Sequence, residues 1–338
     1  MSFEIGSNLF NSRLFYESCG RDMIRDRFPS LESRIAVGVV GEGSDCFGYD
    51  DAISHDHDFG LGFCMWLMPD DQAQFGKKLS AAYMDLKNTV CSAYSISYPF
   101  SHICSQTNES FIRRRGVFGI DDFYGSILGL SLCNNSSLRP DSRGFLPFSD
   151  QTWLTLREEK LACAVNGEVF RDDLGVFSEI REALLKYYPD RVWTIRIASE
   201  LYAFSQNGQS NYPRMMARGD ILTARLCLMQ AVRSAMSIAH LLNKKYAPFY
   251  KWMLRSLQTL DRMKDLLPLL ERLMTTNPSL IAWTGRHYDS SKLNTDDPVV
   301  FLLEKIAICI LNEMAAQNLV VPRSSFLLEY TQDLLAQN

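Results

Sequence analysis

Ile35-Ala-Val-Gly-Val-Val-Gly-Glu-Gly-Ser-Asp-Cys-Phe-Gly-Tyr-Asp-Asp-Ala-Ile-Ser-His-Asp-His-Asp-Phe-Gly60 is the stretch on which the fold turns. Its first six residues form a short apolar run, partly β-branched, which predicts a buried strand. The run stops at the polar, glycine-containing turn Gly41-Glu-Gly-Ser44, where the chain must reverse. A second apolar run, Phe59 to Met68, follows the acidic cluster and predicts a neighbouring strand. Pro69-Asp70-Asp71 then opens a helix to about Lys87, with proline and carboxylates in the first turn where they suit its unpaired N–H groups.

The acidic cluster carries the chemistry. Asp56 and Asp58 are two residues apart, so an extended backbone aims both carboxylates to one side. Two carboxylates converging on one point repel each other unless a cation lies between them. Hard oxygen ligands of this kind suit Mg²⁺ or Mn²⁺, which also hold substrate phosphates. Upstream, Gly43 and Ser44 follow a strand end, and such small residues let backbone N–H groups approach a phosphate closely. The two features place a phosphate grip on one strand and a metal grip on the next.

Working outward, residues 7–33 space their apolar positions as one or two amphipathic helices, and 89–112, rich in Ser, Tyr and Asn, read as a loop or insertion. Short strands are expected at 117–120 and 165–170. From about Gly175 the pattern becomes helical throughout, with segments near 176–187, 190–207, 214–243, 247–260, 262–275, 297–318 and 324–336. The expectation is an α+β chain: a small mixed-sheet core over 1–174 and an all-helical domain over 175–338.

Gly-Ser, a spacer running from Asp45 to His55 and then Asp-x-Asp resembles the pattern of the DNA-polymerase-β-like nucleotidyltransferase superfamily. With Asn166-Gly-Glu-Val-Phe170, Tyr187-Tyr-Pro189 and Tyr246-Ala-Pro-Phe-Tyr-Lys-Trp252, most of the chain is similar to a bacterial family of nucleotidyltransferase-like proteins, built as a polymerase-β-like core followed by helices. The resemblance implies that Gly43 and Ser44 hold the β- and γ-phosphates of a nucleoside triphosphate, ATP first among them. It implies that Asp56 and Asp58 are catalytic metal ligands. Catalytic members usually add a third carboxylate from a later strand, for which Asp121, with Asp122 beside it, is the first choice and Glu168 the second. Lys251, like the helical-domain lysines of related antibiotic nucleotidyltransferases, would reach triphosphate oxygens; a surface lysine beside a core tryptophan is the alternative.

Other residues have plainer readings. His55 and His57 fall on the face opposite Asp56 and Asp58 and are expected to fix the loop, while Asp50 and Asp51 tie or cap it. Arg113-Arg114-Arg115 would either line a phosphate path or form a solvated edge. Arg214 and Arg218 share a helical face, able to meet phosphate or acceptor or to pair with Asp220. There is no Gly-x-x-x-x-Gly-Lys-Ser/Thr, His-Glu-x-x-His or Gly-x-Ser-x-Gly.

Composition narrows the partners. With 35 Lys and Arg against 39 Asp and Glu, a general nucleic-acid surface is disfavoured and a small-molecule acceptor favoured over RNA or protein. The nine cysteines never fall as Cys-x-x-Cys, which fits reduced thiols in the cytoplasm. No run approaches the roughly 20 apolar residues of a membrane span, so no membrane partner is expected. A non-catalytic nucleotide-binding or interaction role stays open beside the transferase.

Overall fold

The computed structural model describes residues 8–51, 53, 61–93, 114–130, 138–285, 288–289 and 292–336. The chain is α+β and divides into two compact units, Met1–Ser149 with Thr155–Lys186 and Asp150–Leu154 with Tyr187–Asn338.

In the first unit the apolar runs become strands: β1 (Ala36–Val39), β2 (Cys64–Leu67), β3 (Val117–Gly119) and β4 (Glu168–Arg171). They form one mixed sheet in the order β3-β2-β1-β4. β1 runs antiparallel to β2, with Ala36 opposite Trp66, and antiparallel to β4, with Val39 opposite Glu168. β3 lies parallel to β2, Trp66 beside Phe118.

Both faces of the central strands are buried, so their sequences read as continuous apolar runs rather than alternating ones. Val37, Val39, Met65 and Leu67 enter one core with Phe15, Phe63, Leu79 and Tyr83, contributed by the N-terminal helix Asn8–Phe15, the approach to β2 and the long helix Pro69–Ala93. Trp66 points to the other face, stacked on Phe177 at 3.8 Å and edge-on to Phe123 at 5.2 Å. Glycine makes the β1–β4 contact possible. A Cβ on Gly38 would stand 2.3 Å from the Glu168 carbonyl oxygen, and one on Gly167 only 1.9 Å from that of Val39.

The compact unit that holds the sheet runs on to Lys186, with Asp150–Leu154 grouped in the other unit. Helix Val176–Leu185 looks in sequence like the first of the helical series, yet its Phe177 is fully buried against Trp66 and Tyr124 of the sheet unit. Helical periodicity reports that a face is buried, not which core buries it.

The second unit is helical. Asp190–Phe204 packs along Ile221–Leu242, which meets Pro298–Ala316, which in turn meets Leu266–Thr275. Two starts follow capping chemistry: Asp220 accepts the Thr223 N–H at 3.0 Å, and Asp297 the Val299 N–H at 3.1 Å ahead of Pro298. A π-helical segment, Ser205–Asn211, interrupts the expected continuous helix 190–207. Among the described residues no helix is long and apolar enough to cross a membrane.

Candidate functional site

Strand direction decides which loops meet. The C-terminal end of β1 lies beside the N-terminal ends of β2 and β4, and the parallel pair aligns the N-terminal ends of β2 and β3. One end of the sheet therefore gathers the turn 41–44, residues 61–63, residues 114–116 and residues 166–168. Asp121 and Asp122 follow the opposite end of β3, in the first turn of helix Ile120–Leu128, where Asp121 Oδ1 accepts the Leu138 N–H at 3.4 Å. Gly43 and Ser44 are thus separated from Asp121, the first choice for a third carboxylate. Glu168, the second choice, stands at their end of the sheet. Strand direction, which no local pattern encodes, puts Glu168 and not Asp121 at that end.

The turn itself is strongly determined. Gly41 and Gly43 have φ of +121° and +131°, a region L side chains rarely occupy, and a Cβ on Gly43 would meet Asp45 Oδ1 at 2.4 Å. Asn166, two residues ahead of β4, clamps Gly41: its Oδ1 accepts the Gly41 N–H at 2.9 Å and its Nδ2 donates to the Gly41 carbonyl at 2.8 Å. Gly48, with φ of +65°, closes the short 3₁₀ turn Asp45–Phe47 that follows.

Beneath the turn lies a buried ion pair. Arg115 Nη2 donates to Asp45 Oδ2 at 2.8 Å, and Asn8 Nδ2 donates to the same oxygen at 2.8 Å. The Cys46 N–H donates to Asp45 Oδ1 at 2.9 Å. Burial alone pushes the Asp45 carboxyl up, but the Arg115 charge and the hydrogen bonds from Asn8, Arg115 and Cys46 hold it below the usual carboxylate value. Burial also raises the neighbouring Cys46 and Cys64 thiols, which marks them as packing groups rather than nucleophiles. Asp50 accepts the Asn8 N–H at 2.7 Å and Asp51 the Ile53 N–H at 3.0 Å, the tying role expected of them.

The upper side of the turn is open. Glu42, Gly43 and Ser44 are partly exposed, and among the described residues neither their backbone N–H groups nor the Ser44 hydroxyl has a partner. Lys160 pairs with one Glu42 carboxylate oxygen, and Arg114 Nη2 lies 3.7 Å from the other. Burial pushes the Glu42 carboxyl up, and the Lys160 hydrogen bond with the charges of Lys160 and Arg114 brings it below its ordinary value. Glu168 is held by Arg13, whose Nε donates to it at 3.2 Å and whose Nη2 makes a second, shorter bond.

Asp56 and Asp58, with His55, His57 and Arg113, lie outside the described residues. Lys251 and Arg214 belong to the second unit, and both are exposed. Lys251 Nζ stands 5.5 Å from the Trp252 ring centre, and Arg214 Nη1 donates to Asn211 Oδ1 at 3.4 Å. Sequence reasoning did not single out Asp45, Lys160 or Asn166. Asn166 did fall within a quoted motif, where its place beside Gly167-Glu168 was the available signal. No group of three His, Cys, Asp or Glu side chains suited to a metal occurs among the described residues.

A family described as a domain of unknown function (DUF4037) matches residues 153–253, under a third of the chain. That span includes Asn166, Glu168 and β4. No curated protein and no solved structure matches the chain.

Proposed function

We propose that this chain is a metal-dependent nucleotidyltransferase that moves a nucleoside monophosphate from a nucleoside triphosphate, ATP first, to a hydroxyl on a small molecule. The observation that carries the reading is the turn 41–44. Among the described residues its three N–H groups and the Ser44 hydroxyl have no partner, and they stand at the sheet end that also holds Glu168. Backbone N–H groups fanned from a glycine turn are suited to phosphate oxygens. Lys160 and Arg114, now on Glu42, supply cations within reach of the same turn.

In the reaction the acceptor oxygen bonds to the α-phosphorus and the bond to the bridging α–β oxygen breaks. Pyrophosphate leaves with that electron pair, and the acceptor proton passes to a carboxylate, the role open to Glu168. Ser44 and the turn amides orient the β- and γ-phosphates, while Lys160 and Arg114 balance the charge of the leaving pyrophosphate. The fit to a divalent cation rests on the donor set: Asp56 and Asp58 would hold Mg²⁺ or Mn²⁺ through hard oxygen ligands, and the bound ion would supply charge neutralisation at the triphosphate.

One observation favours a second reading. Arg13 occupies Glu168 with two nitrogens, an arrangement suited to a nucleotide-binding protein without turnover. Pyrophosphate release from the four ribonucleoside triphosphates, with Mg²⁺ or Mn²⁺ and a metabolite extract, separates the two. Transfer predicts release that needs the extract and is lost in Asp56→Asn/Asp58→Asn; nucleotide binding without release would leave only the second reading.

A further inference from the structure

The second unit contains a cavity of about 450 Å³, within the size range of small-ligand sites, and the transferase reading makes no use of it. Pro213, Ala217, Leu293, Val300 and Leu303 give it an apolar wall and Trp283 an indole; its polar groups include Gln209, Asn294 and Glu304, with Lys292 and Asp289 paired to each other at 3.5 Å. All of these belong to one unit.

Glu304 is the informative residue. It is only 8% exposed and forms no ion pair among the described residues. Its contacts are neutral: Gln209 Nε2 donates to Oε1 at 2.9 Å and the Ser325 hydroxyl donates to Oε2 at 2.6 Å. A carboxylate this far from water is ordinarily matched by a cation. Each of its oxygens retains accepting capacity after these single bonds.

The backbone around it is specialised. Ser-Gln-Asn-Gly-Gln-Ser-Asn (205–211) forms the π-helical segment, a geometry that is rarely retained and is frequent at binding sites. Gly208 permits it: a Cβ there would press on the Ala231 Cβ at 3.0 Å. The segment fixes Gln209 fully, since its Nε2 also donates to the Ser325 carbonyl at 2.8 Å and its Oε1 accepts from Ser205 and from the Leu327 N–H. Gln209 in turn orients Glu304 at the cavity wall. Trp283 is oriented as firmly, donating its Nε1 to the buried Asp297 at 2.7 Å.

We propose that this cavity binds a small organic cation, an amine on an apolar body, whose ammonium group pairs with Glu304 while its body lies along Trp283, Val300 and Leu303. An ammonium supplies a charge partner that Glu304 lacks among the described residues, and an aromatic wall favours a cation beside it. This site is separate from the nucleotide turn, and its test needs no nucleotide.

Phenethylamine and n-hexylamine, each beside the alcohol of the same skeleton, are titrated against the full chain by calorimetry and ligand-observed NMR. The expected result is binding of at least one amine at or below about 1 mM, with its alcohol at least about tenfold weaker. Glu304→Gln keeps the shape of the side chain, and melting behaviour verifies its fold; it should bring the amine down to the level of the alcohol. Ala217→Leu fills the cavity without touching Glu304 and should weaken both ligands. Equal affinity for amine and alcohol, unchanged amine binding in both variants, or no amine bound at that concentration would overturn the proposal.

Discussion

Arg115 donates from Nη2 to Asp45 Oδ2 at 2.8 Å across a sequence separation of 70 residues, with the two side chains 4% and 8% exposed. The pair joins the residue after the turn 41–44 to a residue two places ahead of β3. A buried pair of this kind contributes little net stability when intact, but losing one member leaves an unmatched charge. Arg115→Met should cost about 3–5 kcal/mol in denaturant unfolding, and the double replacement Asp45→Leu/Arg115→Met should recover most of that. A single-variant loss below about 1 kcal/mol would show that the charge finds water.

The same pair fixes an acid dependence. The folded Asp45 carboxyl lies below its unfolded value of about 3.9. Its contribution is therefore complete above that value and is lost as pH falls through the lower, folded one. Wild-type stability should keep this contribution down to about pH 4, and Asp45→Asn, which lacks it at every pH, should flatten the profile below that point. Parallel profiles for the two proteins would contradict the assignment.

Gly43 and Gly48 make a matched test of the turn. Both have positive φ, but a Cβ on Gly48 meets nothing within 4 Å whereas one on Gly43 meets Asp45 Oδ1. Gly48→Ala should cost about 1–2 kcal/mol from backbone conformation alone. Gly43→Ala should cost more and weaken ATP binding by at least about tenfold. Equal effects would mean that the turn yields freely.

Asn166 spans Gly41 with both ends of its amide. In Asn166→Asp the Nδ2 donor becomes an oxygen facing the Gly41 carbonyl, at a cost of about 1–3 kcal/mol. Hydrogen exchange at Gly41 should quicken in that variant, while exchange in helix Ile221–Leu242 of the other unit should not.

The stack of Trp66 on Phe177 is what assigns helix Val176–Leu185 to the sheet unit. Phe177→Ala should remove about 3–5 kcal/mol, read as loss of Trp66 environment on melting. If only the helical unit is destabilised, the boundary at Lys186 is misplaced.

β1 and β2 were legible because burial on both faces writes them as apolar runs closed by glycine or proline. β1, β2 and β3 fall within or against the runs expected of them, and helix Pro69–Ala93 starts at its proline. Strand direction was not legible: nothing between Met68 and Val117 states that β3 returns parallel to β2. That is why Asp121 drew attention ahead of Glu168. The turn at Gly43 and Ser44 was readable from glycine and serine after a strand. The supports beneath it, Arg115 under Asp45 and Asn166 on Gly41, join residues 70 and 125 positions apart, which no local pattern encodes. The π-helical segment 205–211 escaped notice because its small polar residues read as a solvated helix end.

The most direct test of the central claim is backbone amide exchange at Glu42, Gly43 and Ser44, with and without Mg²⁺ and ATP. These N–H groups have no partner among the described residues, so any slowing on nucleotide addition reports new hydrogen bonds to them. The account predicts protection of all three that is lost in Asp56→Asn/Asp58→Asn. Unchanged exchange at saturating ATP would contradict a triphosphate grip on this turn.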